Sequence, residues 1–188
     1  MDEEKSLRQQ EEERNGHLEI KWPFVGKVLS IRQEIVEIQN KKKKTWEIVQ
    51  RPDAVVLLPI ISDEKLLMIK QFRRATNKIF LELPAGVLED DESLESCAQR
   101  ELQEETGYFA KKMISFGMMY SSPGFCTEKL YLFLAKQLES NPLPQDEDEA
   151  IDLVYIHLNE ALKLIESGEI VDAKSIVGIL KYVRFLNR

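Results

Sequence analysis

The chain has 188 residues, a formal net charge of −7, 43% hydrophobic residues and two cysteines. This length supports one domain-sized core, and the acidic balance excludes a general nucleic-acid binder, which needs a basic face. Two cysteines exclude a disulfide framework, no run approaches a membrane span, and the charged start is no signal peptide; the expected setting is cytoplasmic and reduced.

Residues 1–16, MDEEKSLRQQEEERNG, carry no apolar stripe and predict a frayed tail or a short exposed helix. Residues 17–52 read as a strand region, with a strand from Val28 to Ile38, a turn over Asn40–Lys44 and a second strand from Thr45 to Arg51. The four lysines read as a solvated hairpin tip, with a phosphate-attracting patch as the lesser reading. Trp22, before Pro23, reads first as interface packing and second as a purine contact. The main domain, 53–188, opens with two apolar strands, Ala54–Ile61 and Leu66–Phe72, split by the hairpin signal Ser62-Asp63-Glu64-Lys65. A further strand, Ile79–Leu83, leads toward a helix.

That helix can be argued locally. Ser93 suits an N-cap, Leu94, Cys97, Ala98 and Leu102 recur at helical spacing, and Gly107 suits a left-handed stop. Cys97 reads as a small apolar packing residue. Glu101, Glu104 and Glu105 crowd the C-terminal end, where the helix dipole disfavours negative charge, so a cation is expected to offset them. Glu101 and Glu105 share one face, and Arg100 can hold Glu104 on the neighbouring face. Oxygen-rich sites of this kind suit Mg2+ or Mn2+.

Beyond it, Lys129–Gln137 and Leu153–His157 read as strands, Asn159–Ser167 as an amphipathic helix ended by Gly168, and Lys174–Phe185 as another helix. Met113, Met118 and Met119 read as packing, and His17 and His157, without metal-ligand spacing, as surface residues. Strands and helices mix without regular βαβ alternation, which predicts a mixed sheet flanked by helices.

Gly86, Glu92, Arg100, Glu101, Leu102, Glu104, Glu105 and Gly107 match the spacing G-x5-E-x7-R-E-U-x-E-E-x-G-U, where U is a bulky aliphatic residue and Tyr108 stands at the last position. On these residues the chain resembles the Nudix hydrolases. The competing readings are a solvated acidic helix with chance spacing and a Nudix fold that binds nucleotides without cutting them. The resemblance implies an α/β fold of the α+β kind, an α/β/α sandwich with a mixed central sheet and an N-terminal antiparallel strand subdomain. It implies Mg2+, with Mn2+ able to substitute, held chiefly by Glu101 and Glu105, with the Ala85 carbonyl and Glu104 assisting. Gly86, Glu92, Arg100 and Gly107 would shape the motif.

Outside the motif the chain is similar to the ADP-ribose pyrophosphatase branch. Pro123 lies sixteen residues after Gly107, within YSSPGF, and LELPAG (Leu81–Gly86) resembles that branch's approach to the motif. Glu82 there either orients substrate or is a plain strand-end carboxylate. By position in QDEDEAI (Gln145–Ile151), the resemblance implies Glu147 as general base and Glu149 as a further metal ligand; the alternatives are Glu149 or a motif glutamate as base. Arg73, in QFRR, would contact the diphosphate. Trp46, Glu47 and Arg51, in TWEIVQR, would bind the nucleotide. Strand alternation sets Trp46 opposite Glu47 and Arg51, a conflict that a homodimer built through the N-terminal strands would resolve. The implied reaction is hydrolysis of ADP-ribose to AMP and ribose 5-phosphate. The alternatives are a GDP-mannose or other nucleotide-sugar pyrophosphatase and a non-catalytic ADP-ribose-binding module. No nucleic-acid or membrane partner is expected.

Overall fold

A computed structural model of the chain describes residues 2–38, 41–62, 64–145 and 150–187, with side chains from residue 5 onward. Glu147 and Glu149 lie outside the described residues. The chain divides into two compact units, Met1–Pro52 with Ser122–Glu128, and Asp53–Ser121 with Lys129–Arg188.

The first unit holds an exposed polar helix, α1 (Asp2–Asn15), and an antiparallel sheet ordered β1 (His17–Val25), β2 (Ser30–Ile38) and β3 (Lys42–Gln50). Of the tail, residues 2–15 take the short-helix form. The lysine run departs from expectation. Lys42, Lys43 and Lys44 are ladder residues opposite Ile38, Glu37 and Val36, and only Lys41, at φ 58°, keeps turn geometry. Lys44 places its Nζ 3.5 Å from the ring centroid of Trp46, which gives the ammonium an aromatic face to cover. Ser122–Glu128 joins this sheet through Val49 N–H to Phe125 O (2.7 Å) and Thr127 N–H to Val49 O (3.0 Å).

The second unit is built on a mixed sheet ordered β10 (Ile151–His157), β5 (Lys65–Arg73), β4 (Ala54–Ser62), β9 (Lys129–Ser140) and β8 (Tyr108–Tyr120). Strand β6 (Lys78–Glu82) pairs with β5, and β7 (Ala85–Val87) pairs with β4. The β4–β9 pair is parallel and the others are antiparallel. Strand β4 is covered on both faces, which is why it reads as a continuous apolar run instead of an alternating one. Val55 and Leu57 pack with Cys97, Ala98 and Leu102 of α2 (Leu94–Thr106). Val56, Leu58 and Ile60 pack with residues of α3 (Leu158–Glu166) and α4 (Ala173–Leu186), including Ala161, Ile179 and Tyr182. The result is the α/β/α layering expected. Each fully buried Val or Leu here contributes roughly 1.5–3 kcal/mol relative to exposure.

Strand β8 is the longest of three strands, with β1 and β7, that periodicity did not announce. Its register slips between Ser115 and Met118, and Gly117 sits at φ 103°. A bulge there resets the two-residue alternation halfway along YFAKKMISFGMMY, so no single strand pattern spans the segment. The same slip corrects the reading of the methionines. Met113 and Met119 pack against the two core clusters, but Met118 is turned outward and 45% exposed. Both histidines are exposed, His17 on β1 and His157 at the end of β10. Among the described residues, no helix is long and apolar enough to cross a membrane.

Candidate metal and diphosphate site

Helix α2 begins where Ser93 Oγ accepts the Ser96 N–H at 3.1 Å and stops where Gly107, at φ 74°, donates its N–H to Gln103 O at 3.0 Å. Between those caps, one guanidinium organises three carboxylates. Arg100 Nε and Nη2 each donate to Glu92 at 2.9 Å, and Nη1 donates to Glu101 at 2.7 Å and to Glu104 at 2.9 Å. A planar fork suits this work; a lysine could not reach three acceptors in fixed directions. The hydrogen bond to Glu92, with the charge of Glu101 and the bonds to Glu101 and Glu104, holds the Arg100 proton far above its usual range despite partial burial. Reciprocally, the Arg100 bond keeps Glu92 below the ordinary carboxylate range. Cys97 is the inert packing residue expected, since burial, with Glu92 and Glu101 nearby, pushes its thiol up to about 12.

Glu105 takes a different partner. It is 2% exposed, and its Oε2 accepts the N–H of Ala85 at 2.8 Å. The start of β7 is itself fixed to the central strand: Ala85 pairs with Val56, Gly86 with Val55, and Pro84 O accepts the Leu57 N–H at 2.9 Å. Gly86 shows how close the helix comes. A Cβ there would lie 1.7 Å from Glu101 Cδ and 1.9 and 2.0 Å from its two oxygens. Gly86 is not among the residues with positive φ, so close approach of a carboxylate, not backbone conformation, demands glycine at this place.

Glu101, Glu105 and the Ala85–Gly86 backbone therefore meet at one spot. The donors are hard oxygens, which fit a divalent cation such as Mg2+. Among the described residues, no three Asp, Glu, His or Cys side chains form a ready-made cage. Two converging carboxylates leave room for water and phosphate oxygens, the manner in which Mg2+ is usually held.

Arg73 and Glu82 belong to the same unit. Arg73 Nε donates to Glu82 Oε1 at 2.7 Å, and Glu82 is 2% exposed. Burial opposes the charge on Arg73, but the bond and charge of Glu82, with Glu105 and Asp172 adding to them, more than offset it and hold the guanidinium above its usual range. The influence of Glu105 ties this cation electrostatically to the end of α2. Glu82 also bonds Lys174, a residue that sequence reasoning missed along with Asp172 and Ser175. The sequence there reads only as the start of a helix at Lys174, and nothing local marks a site.

Trp46, Glu47, Arg51 and Pro123 lie in the first unit. Trp46 stands opposite Glu34 and Glu47 opposite Gln33, on alternate faces of the ladder, and Gln33 Nε2 donates to Glu47 at 3.1 Å. Arg51 Nη1 is 3.4 Å from Glu128, which is also nearly buried and was not anticipated. Pro123 sits in a turn closed by the Phe125 and Cys126 N–H groups on Ser122 O, at 3.1 and 2.9 Å.

The NUDIX domain family matches residues 50–176. With its motif residues gathered around Gly86, the chain belongs to the Nudix family. It is 43% identical to an ADP-ribose pyrophosphatase of Bacillus subtilis (strain 168) over 158 residues, 83% of this chain and 85% of that one. It is 37% identical to a methanol dehydrogenase activator of Bacillus methanolicus over 158 residues, again 83% and 85% of the two chains. A solved structure of an ADP compounds hydrolase superposes with a TM-score of 0.82 at 23% identity, covering 91% of this chain and 93% of the other, a likeness of fold.

Proposed function

We propose that the protein hydrolyses the diphosphate bond of ADP-ribose, giving AMP and ribose 5-phosphate, with Mg2+ as the working cation and Mn2+ able to substitute. The reading is carried by the convergence of Glu101 and Glu105 on Ala85 and Gly86 at the start of β7. Similarity to the Bacillus subtilis ADP-ribose pyrophosphatase supports the choice of substrate. A bound divalent cation supplies neutralisation of the diphosphate oxygens and eases deprotonation of water. In this reading Glu101, Glu105 and the Ala85 carbonyl hold cations, with Glu104 and Glu149 supporting. Arg73 contacts the diphosphate, and Glu147 takes the proton from water. Trp46, Glu47, Arg51 and the Pro123 turn shape the nucleoside end.

A substrate panel tests the activity. Incubation with ADP-ribose, GDP-mannose and diadenosine polyphosphates at saturating Mg2+, followed by product chromatography, is expected to give AMP and ribose 5-phosphate fastest. Faster loss of GDP-mannose would overturn the substrate choice. ADP-ribose bound without any product would instead indicate a sensing module.

The protein is further proposed to be a cytoplasmic homodimer. Strand β1 is an edge strand exposed along its whole length, and Leu18, Ile20, Trp22 and Phe24 are each about half exposed on it. An apolar edge of this kind is a liability unless another chain covers it. Light scattering on the purified protein is expected to return twice the 21.8 kDa chain mass. A monomer at micromolar concentration would sink the dimer, and with it a nucleotide pocket drawn from both chains.

A further inference from the structure

The first turn of α4 does more than cap a helix. Asp172 is its N-cap, with Oδ2 accepting the Ser175 N–H at 3.0 Å and the Ser175 hydroxyl at 2.5 Å. Ser175 is fully buried, and its Oγ accepts the N–H of Leu83 at 2.7 Å. The helix sits tightly here, since a Cβ on Gly178 would lie 2.8 Å from Leu83 Cδ1. These contacts anchor the link that runs from β6 through Leu83 into β7 at Ala85–Gly86. Capping explains Asp172 and Ser175. It does not explain Lys174.

The Lys174 side chain is only 12% exposed, and its Nζ bonds both Asp172 Oδ2, at 3.0 Å, and Glu82 Oε2. The other Glu82 oxygen, Oε1, holds Arg73 Nε. One cation would have met the charge of Glu82, and Arg73 is already there. With Lys174 on the second oxygen, the carboxylate is fixed at both ends and its plane is set. The direction of the Arg73 guanidinium then follows from that plane. The charge balance matters as well. Without Lys174, Arg73 would share its surroundings with two anions, Glu82 and Asp172, for a net charge of −1; Lys174 brings the group to neutrality and so removes repulsion toward an anionic ligand.

We propose that Lys174 is a positioning residue for Arg73, acting through Glu82 to aim the guanidinium at the substrate diphosphate. The inference rests on the reading of Arg73 as the diphosphate contact. Lys174 touches no substrate. It makes the register of α4 part of substrate recognition, although its motif lies far along the chain from the metal-binding residues.

The test is a double-mutant cycle on the full chain, measuring kcat and KM for ADP-ribose at saturating Mg2+ in the wild type, Lys174→Met, Arg73→Gln and the double variant. Lys174→Met is expected to raise KM about fivefold to tenfold, with kcat changed less than about threefold, and to change KM less than about twofold when Arg73 is already glutamine. Should Lys174→Met fail to fold, Lys174→Gln keeps a donor for Glu82, removes the charge and enters the same cycle. An equal rise in KM in both backgrounds would overturn the proposal, as would a lowered Tm with KM unchanged, the signature of a strut. Failure of the substrate reading is distinguishable, because it appears in the wild type as intact ADP-ribose. The cycle then runs on whichever nucleotide sugar the wild type cleaves, with the same two outcomes.

Discussion

Glu105→Gln is expected to lower kcat by about a thousandfold or more while leaving the fold intact. The two halves of that result have separate causes. Glu105 is 2% exposed, and its Oε2 accepts the Ala85 N–H, a bond that the glutamine amide oxygen can also accept. Shape and hydrogen bonding are thus retained, and what disappears is one negative charge at the place where a cation is to be held. Removing it also relieves repulsion with Glu101 and Glu104, for which Arg100 is the shared counter-charge. Without metal, the relieved repulsion is set against the lost attraction between Glu105 and Arg73, so the variant should melt within a few degrees of the wild type. Mg2+ should raise the wild-type Tm, because a ligand of the folded state stabilises it, and should raise the variant's far less. Thermal melts with and without Mg2+, run beside the turnover assay, check both halves. Near-native activity at saturating Mg2+ would remove Glu105 from the cation site.

The sequence made the helix and its chemistry legible for a physical reason. Caps, a buried stripe and a charge arrangement that contradicts the helix dipole are all local, so Ser93, Gly107 and the Glu101–Glu105 cluster could be placed from neighbours alone. Strand β4 was legible because burial on both faces leaves an unbroken apolar run. Strand β8 was not, since the bulge at Gly117 changes which residues share a face. Lys42–Lys44 misled in the opposite sense, with charged residues drawn into the ladder by pairing opposite Ile38, Glu37 and Val36. The partnership of Lys174 with Glu82 joins residues 92 positions apart. No periodicity links such positions, and at the start of a helix a lysine gives no local sign of a buried carboxylate partner.

Gly86→Ala separates close approach from backbone freedom as the reason for the motif's first glycine. If conformation were the issue, alanine would strain the chain and lower stability. Gly86 has no positive φ, and it pairs with Val55 as a strand residue, a conformation that alanine adopts readily. The methyl group would instead land within 2.0 Å of all three atoms of the Glu101 carboxyl group. Those atoms are the far end of a side chain that can rotate away, so the structural cost should be modest, on the order of 1 kcal/mol. The functional cost should be large, because the displaced carboxylate is a principal cation ligand; a loss of about a hundredfold to a thousandfold in kcat is expected. Truncating Glu101 to alanine removes the clash, so Gly86→Ala should cost little further stability in that background. The two substitutions should also be non-additive in the Mg2+-induced Tm shift, since each alone removes the same ligand. A Gly86→Ala protein that keeps its activity, or that loses Mg2+ protection additively with Glu101→Ala, would show that the glycine serves the backbone and not the carboxylate.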